Sequence, residues 1–233
     1  MFEGPFDESI IKRAQEKNLV QIKIHDLRDW AVDSRRTVDD KPYGGGTGMV
    51  LRVDVVDRAL GDIKNQKSKI NNTDQKSKII LLSPRGKVFN QKKAREFSKL
   101  DHLIFICGHY EGVDERVSEH IADEEVSIGD YVLTGGEIPA MAVVDSIVRL
   151  IPGVLEKPDA TISESFSNSQ LVNLNIRNLL EYPQYTRPEN FKGWKVPEIL
   201  LSGDHKKIEE WREQKSQEKT KQVRPELLSK KHE

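Results

Sequence analysis

Three short apolar runs, each followed by a turn containing glycine, constrain this chain more than anything else in it. Ile79-Ile-Leu-Leu82 runs into Ser83-Pro-Arg-Gly86. His102-Leu-Ile-Phe-Ile-Cys107 ends at Gly108, in a turn that continues to Gly112. Val126-Ser-Ile128 leads into Gly129-Asp-Tyr-Val-Leu-Thr-Gly-Gly136, within which Tyr131 to Leu133 also reads as strand-like. Continuous apolar runs are what strands covered on both faces contain. Helical patterns separate them at Gln91 to Leu100 and Glu115 to Ile121, and a last one, Ile138 to Ile151, opens with Pro139 in its first turn and stops at Pro152-Gly153. This order implies an α/β domain with a mostly parallel sheet. In open α/β sheets ligands bind beyond the carboxyl ends of the strands. Three turns at one sheet edge therefore predict one pocket. Glycine permits φ > 0 or a close approach of backbone. For any one of these turns alone, the plain reading that glycine merely completes a tight turn is equally good.

The rest of the chain frames this core. Phe6 to Lys17 has the spacing of an amphipathic helix, Leu19 to Ile24 alternates like a strand, and Val53 to Ile63 resumes a helical pattern. Between them a polar stretch ends in Tyr43-Gly-Gly-Gly-Thr-Gly-Met49. Gly61 to Lys78 is Lys-, Asn- and Gln-rich and holds Gln-Lys-Ser-Lys-Ile twice, the mark of a local duplication in a surface loop. Residues 156–174 are polar and read as a flexible linker. Residues 175–233 read as a small all-helical, charged domain, with Trp194 and Trp211 as anchors and a helix entry at Ser202-Gly-Asp-His205.

Composition excludes several classes. No apolar run reaches the ~18 residues of a transmembrane helix. The N-terminus lacks the basic and apolar regions of a signal peptide. One cysteine, Cys107, rules out an intrachain disulfide and a multi-cysteine zinc site. A cytoplasmic protein is expected. Lys plus Arg nearly balance Asp plus Glu, so a nucleic-acid partner would need local basic patches. Neither a P-loop nor a Gly-x-Gly-x-x-Gly dinucleotide turn is present.

The motifs Thr37–Met49, Cys107-Gly-His-Tyr-Glu-Gly-Val-Asp-Glu-Arg116, Ser127–Met141, Ile151-Pro-Gly-Val-Leu155 and Tyr185-Thr-Arg-Pro188 closely resemble those of the bacterial tRNA (guanine-37-N1)-methyltransferases. The resemblance covers nearly the whole chain. It implies a deep trefoil knot (the SPOUT superfamily) toward the C-terminal end of the α/β domain, residues 1–155, and S-adenosylmethionine as cofactor. It also implies a helical tRNA-binding domain, magnesium dependence without an evident ligand set, and a homodimer with active sites between subunits. Periodicity could not have revealed a knot, which is rare.

The resemblance places cofactor contacts at Leu82, Ser83 and Pro84, at Gly108, Tyr110 and Glu111, and at Ile128, Gly129, Asp130, Tyr131, Val132, Leu133, Gly135, Gly136 and Pro139. It places contacts to the tRNA at Arg35, Asp39, Asp40 and Gly48. Asp39 and Asp40 could equally be metal ligands or a solvated pair, and Arg35 and Arg36 fit phosphate contacts. Further phosphate candidates are Arg187, Lys192, Lys195, His205, Lys206, Lys207, Arg212 and Arg224.

Methylating N1 of guanine requires a base for its proton and a cation for the charge that builds on the neighbouring oxygen. The resemblance assigns these roles to Glu164 and Arg149. The family has aspartate where this chain has Glu164, and a displacement of about 1 Å can cost ~100-fold in rate. Asp159 is a nearby alternative base. Family members also begin further upstream, with an apolar strand and a Phe-Pro-Glu turn, so a central strand is expected to be missing here and encoded upstream. Two rivals follow from these departures: a knotted methyltransferase acting on another RNA, and an inactive RNA-binding protein.

Overall fold

The computed structural model describes residues 1–2, 4–68, 76–161, 164–167 and 179–228. The second copy of the Gln-Lys-Ser-Lys-Ile repeat begins, and the first ends, outside these residues, where residues 162–163 and 168–174 of the expected linker also fall. The chain forms two compact units, Met1–Glu156 and Lys157–Glu233.

The first unit is built on three parallel strands. β3 (Ser77–Val88) lies between β4 (His102–Cys107) and β5 (Glu124–Ser127). Because side chains alternate along a strand, Ile79 and Leu81 enter one core with Ile106, and Ile80 and Leu82 enter another with Val126. Helices α2 (Val53–Ser68) and α4 (Glu115–His120) supply Val55, Val56, Leu60 and Val117 to the first core. Helices α3 (Gln91–Phe97) and α5 (Glu137–Val148) supply Phe97, Ala140, Val143 and Ile147 to the second. The sheet is thus covered on both faces, which is why its strands read as unbroken apolar runs. Helix α1 (Ser9–Glu16) packs Ile11 and Ala14 beside Val148 at the far end of α5.

Several expectations are corrected. Leu19 to Ile24 forms no strand. Alternation supplies a face but no partner, and among the described residues β4 pairs only with β3. A groove of about 1160 Å³ lies between 19–28 and β4, lined by Val20, Ile22, Leu103 and Phe105 among others. Helix α2 continues through Gly61 to Ser68, into the stretch expected to be a loop. Tyr131 to Leu133 is not a strand, since β5 ends at Ser127. Conversely, β3 extends through Ser83–Gly86, where a turn is expected.

The second unit is not all helical. It contains a hairpin of β6 (Asn190–Phe191) and β7 (Trp194–Lys195), then α6 (Glu198–Leu201) and α7 (His205–Val223). Asp204 caps α7 by accepting from the Lys207 N–H, as the Ser202–His205 entry predicts. Trp194 is no core anchor: it is 73% exposed at the hairpin, edge-to-face with Phe191. Trp211 packs beside Tyr185. No helix among the described residues is long and apolar enough to cross a membrane.

Candidate active site

The register of the sheet brings the three turns together. Leu82 stands level with Cys107 on one side and Val126 on the other. Cys107 ends β4, Val126 is one residue from the end of β5, and the register of β3 shifts just after Leu82, so all three departures from the ladder lie at one height.

The first turn is an excursion within β3. Leu82 and Lys87 both register with Val126, so residues 83–86 bulge out of the ladder. A Cβ at Gly86 would fall 2.6 Å from the Glu125 carbonyl oxygen. The Ser83 hydroxyl accepts from the Arg85 N–H at 3.1 Å, and the Arg85 guanidinium reaches Glu115 at 2.7 Å. Ser83 is half-buried and Pro84 exposed at the tip.

The second and third turns are clasped to each other. The Gly136 N–H donates to the Gly108 carbonyl at 2.8 Å, and His109 forms an isolated bridge with Gly135. The His109 Nε2 lies 2.8 Å from Glu137 Oε1. Gly136 has φ −81°, a conformation open to any residue. Its constraint is space: a Cβ there would lie 2.6 Å from the Cys107 Cα. Tyr110 has φ +60° and presents a half-exposed ring.

In the third turn the buried Ser127 hydroxyl donates to the Gly129 carbonyl and accepts from the Gly129 N–H. Gly129 has φ +150°, and a Cβ would overlap the Tyr131 ring. Tyr131, Val132 and Leu133 are exposed, Ile128 is half-buried, and Asp130 faces solvent. Pro139 sits in the first turn of α5, where its missing N–H costs nothing. The edge therefore offers apolar side chains next to tightly approached main chain, which fits a purine nucleoside. Cys107 is mostly buried, and burial pushes its thiol up to about 12, so it is no nucleophile.

The Thr37–Met49 stretch is sewn to the second turn. Asp39 and Asp40 form β1, pairing with β2 (Val50–Leu51). The Glu111 N–H donates to the Met49 carbonyl at 3.1 Å, and the Leu51 N–H to the Gly112 carbonyl at 3.0 Å. Gly48 has φ +78°, and a Cβ there would be 2.6 Å from Glu111 Oε1. Gly48 and Glu111, predicted for different ligands, are thus neighbours. The Asp40 carboxylate accepts from the Lys41 N–H, and Arg35 is exposed. Arg36 is engaged with Asp29, Asp26 and the Arg28 carbonyl, which weakens its case as a phosphate contact. No group of three or more His, Cys, Asp or Glu residues among those described could hold a metal.

The two residues expected to do the chemistry belong to different units. Arg149 is the C-cap of α5, in the first. Glu164 lies in the second, in a turn closed by the Ser167 N–H on the Glu164 carbonyl at 3.0 Å. Asp159 falls in the short 3-10 turn Pro158–Thr161, next to Ala160.

Among the basic residues of the second unit, several have local partners. Lys207 pairs with Asp204 and Arg212 with Glu209, while Arg224 pairs with Glu226 and lies over Phe166. Lys192 lies over the Phe191 ring. Lys195, His205 and Lys206 are exposed. Sequence reasoning missed the His109–Glu137 clasp and the buried hydroxyls Ser216 and Thr220 of α7. Glu137 had a visible signal, an acid in the first turn of a helix directly after a double glycine.

The sequence profile of one family, described as tRNA (guanine-1)-methyltransferase TrmD, matches residues 1–230. A tRNA (guanine-N(1)-)-methyltransferase of Dictyoglomus turgidum is 54% identical over 99% of this chain and 86% of its own length. The protein of that name from Carboxydothermus hydrogenoformans is 53% identical over 93% of this chain and 78% of its own. The one from Bacillus pumilus is 50% identical over 98% and 87%.

Proposed function

The chain belongs to the tRNA (guanine-1)-methyltransferase family, and from that premise we propose that it methylates N1 of guanine 37 in tRNA, using S-adenosylmethionine. The observation that carries the cofactor site is the common height of Leu82, Cys107 and Val126, which brings three turns to one sheet edge. Adenosine would rest against Leu82, Ser83 and Pro84, against Gly108, Tyr110 and Glu111, and against Ile128 to Leu133, with Gly135, Gly136 and Pro139 behind it. When bound, S-adenosylmethionine supplies an electrophilic methyl group whose bonding electrons stay with sulfur as it departs.

The protein's own groups do the rest. The Glu164 carboxylate takes the N1 proton, which frees the nitrogen lone pair to form the new N–C bond. The Arg149 guanidinium stabilises the negative charge on the guanine O6. Arg35, Asp39, Asp40 and Gly48 hold the neighbouring nucleotide, and exposed cations of the second unit meet phosphates. We assign the first unit to cofactor and knot, the second to tRNA. The working form in this reading is a cytoplasmic homodimer with shared active sites. Magnesium stays a requirement without an assigned ligand set.

The test is primer extension on an unmodified tRNA with guanines at 36 and 37, after incubation with the cofactor. Extension stops at an N1-methylated guanine. Glu164→Ala should abolish the stop and Glu164→Asp should keep it. A protein that binds cofactor yet gives no stop at 37 is one of the two rivals.

A further inference from the structure

We propose that helix α7 positions Glu164 by bolting the turn that carries it to the C-terminal unit, through Thr220 and Ser216. This rests on the reading of Glu164 as the base. Helix α7 runs 19 residues, and its buried residues are Ser216 and Thr220. Apolar side chains there would be the ordinary way to stabilise a docked helix. Hydroxyls instead give direction, and both are spent on one residue. The Leu180 N–H donates to Thr220 Oγ1 at 3.0 Å, and the Ser216 hydroxyl donates to the Leu180 carbonyl. Thr220 is fully buried and donates its own proton to the Ser216 carbonyl at 2.7 Å, so its hydroxyl is satisfied on both sides. The four-residue spacing puts both side chains on one helix face.

The segment so fixed carries the turn. The Phe166 N–H donates to the Leu179 carbonyl at 2.9 Å, and the Glu181 N–H donates to the Ser165 hydroxyl at 3.1 Å. The Ser167 N–H closes the turn on the Glu164 carbonyl, and Ser167 is buried. Phe166 sits at φ +61°, with the Arg224 guanidinium over its ring at 5.9 Å. A left-handed aromatic residue is strained and persists only where its surroundings determine it. An unbroken chain of contacts therefore runs from α7 through 179–181 to the backbone of Glu164. The base moves with the C-terminal unit.

Thr220→Val keeps the shape and removes both hydrogen bonds, whereas Thr220→Ser keeps the hydroxyl. Single-turnover methyl transfer is measured with saturating tRNA and S-adenosylmethionine, alongside cofactor affinity and the unfolding midpoint, with Glu164→Ala as control. Thr220→Val should slow transfer about tenfold to a hundredfold, with cofactor affinity unchanged and Thr220→Ser near wild type. A role in stability alone would lower the midpoint and leave the rate at working temperature intact. A folded Thr220→Val with a wild-type rate, beside an inactive Glu164→Ala, overturns the proposal. An active Glu164→Ala overturns instead the reading of the base. Should Thr220→Val not fold, Ser216→Ala and Phe166→Leu carry the same test: slowed transfer in either, with Phe166→Tyr near wild type, supports the bolt, and wild-type rates in both refute it.

Discussion

The two glycine-rich regions of the first unit use glycine for opposite reasons. In the Thr37–Met49 stretch, Gly44, Gly45 and Gly46 have φ of 84°, 84° and 132°, and a Cβ on Gly44 or Gly45 would meet nothing within 4 Å. There glycine supplies conformation. At the sheet edge, Gly136 has an ordinary φ of −81° but no room beside Cys107. There Gly136 supplies approach, while Gly129, at φ +150°, supplies conformation as well. Gly48 shares both properties, with φ +78° and a crowded neighbour, but the neighbour is the flexible Glu111 side chain. A glycine count treats the regions as equivalent, and the atoms around them do not.

Single alanine substitutions put this contrast at risk. Gly136→Ala should be the most damaging, because a methyl group would have to displace backbone. Overpacking of that kind costs about 3 kcal/mol, and it would push the second and third turns apart. Chemical denaturation should show the loss, and cofactor titration a weakened complex. Gly48→Ala should come next, at about 2 kcal/mol, from left-handed strain plus the moved Glu111. Equilibrium binding of both cofactor and tRNA should suffer, because Glu111 is proposed for one site and Gly48 for the other. Gly45→Ala should cost only about 1 kcal/mol of backbone strain and leave cofactor affinity unchanged. Were Gly45→Ala as costly as Gly136→Ala, crowding would not be what separates the two regions. The smallest effect concerns Cys107, which lies against the same wall. Its thiol, raised to about 12 by burial, should alkylate far more slowly with iodoacetamide at pH 8 than a free thiol does. Labelling at the free-thiol rate would mean that the wall opens in solution.

Much of the α/β unit was legible. The runs 79–82 and 102–107 could be read as buried strands because no alternation marks a solvated face, and β3 and β4 occupy them. The helix after the third turn was legible from Pro139 and the apolar residues behind it. The same pattern reading failed at 19–24, where the alternation is real but no strand among the described residues pairs with it. It failed again at 190–195, where Lys192 adopts φ +55° and Asn190 accepts from the Gly193 N–H to form a tight hairpin. There the Lys-Gly pair between two aromatic residues was the available signal, and expectation of a helical domain hid it.

The sequence by itself determined the family and the layered α/β core, because apolar runs and long motifs are local properties of the chain. The height of three turns on one edge depended on strand register, which links residues 25 to 44 positions apart, such as Leu82 with Cys107 and Ile80 with Glu124. Whether a glycine serves freedom or closeness depended on atoms from other turns. That Glu164 is held by Thr220 and Ser216 depended on Leu180 lying between them and the turn. Each of these is a contact between segments distant in sequence, which only packing in three dimensions decides.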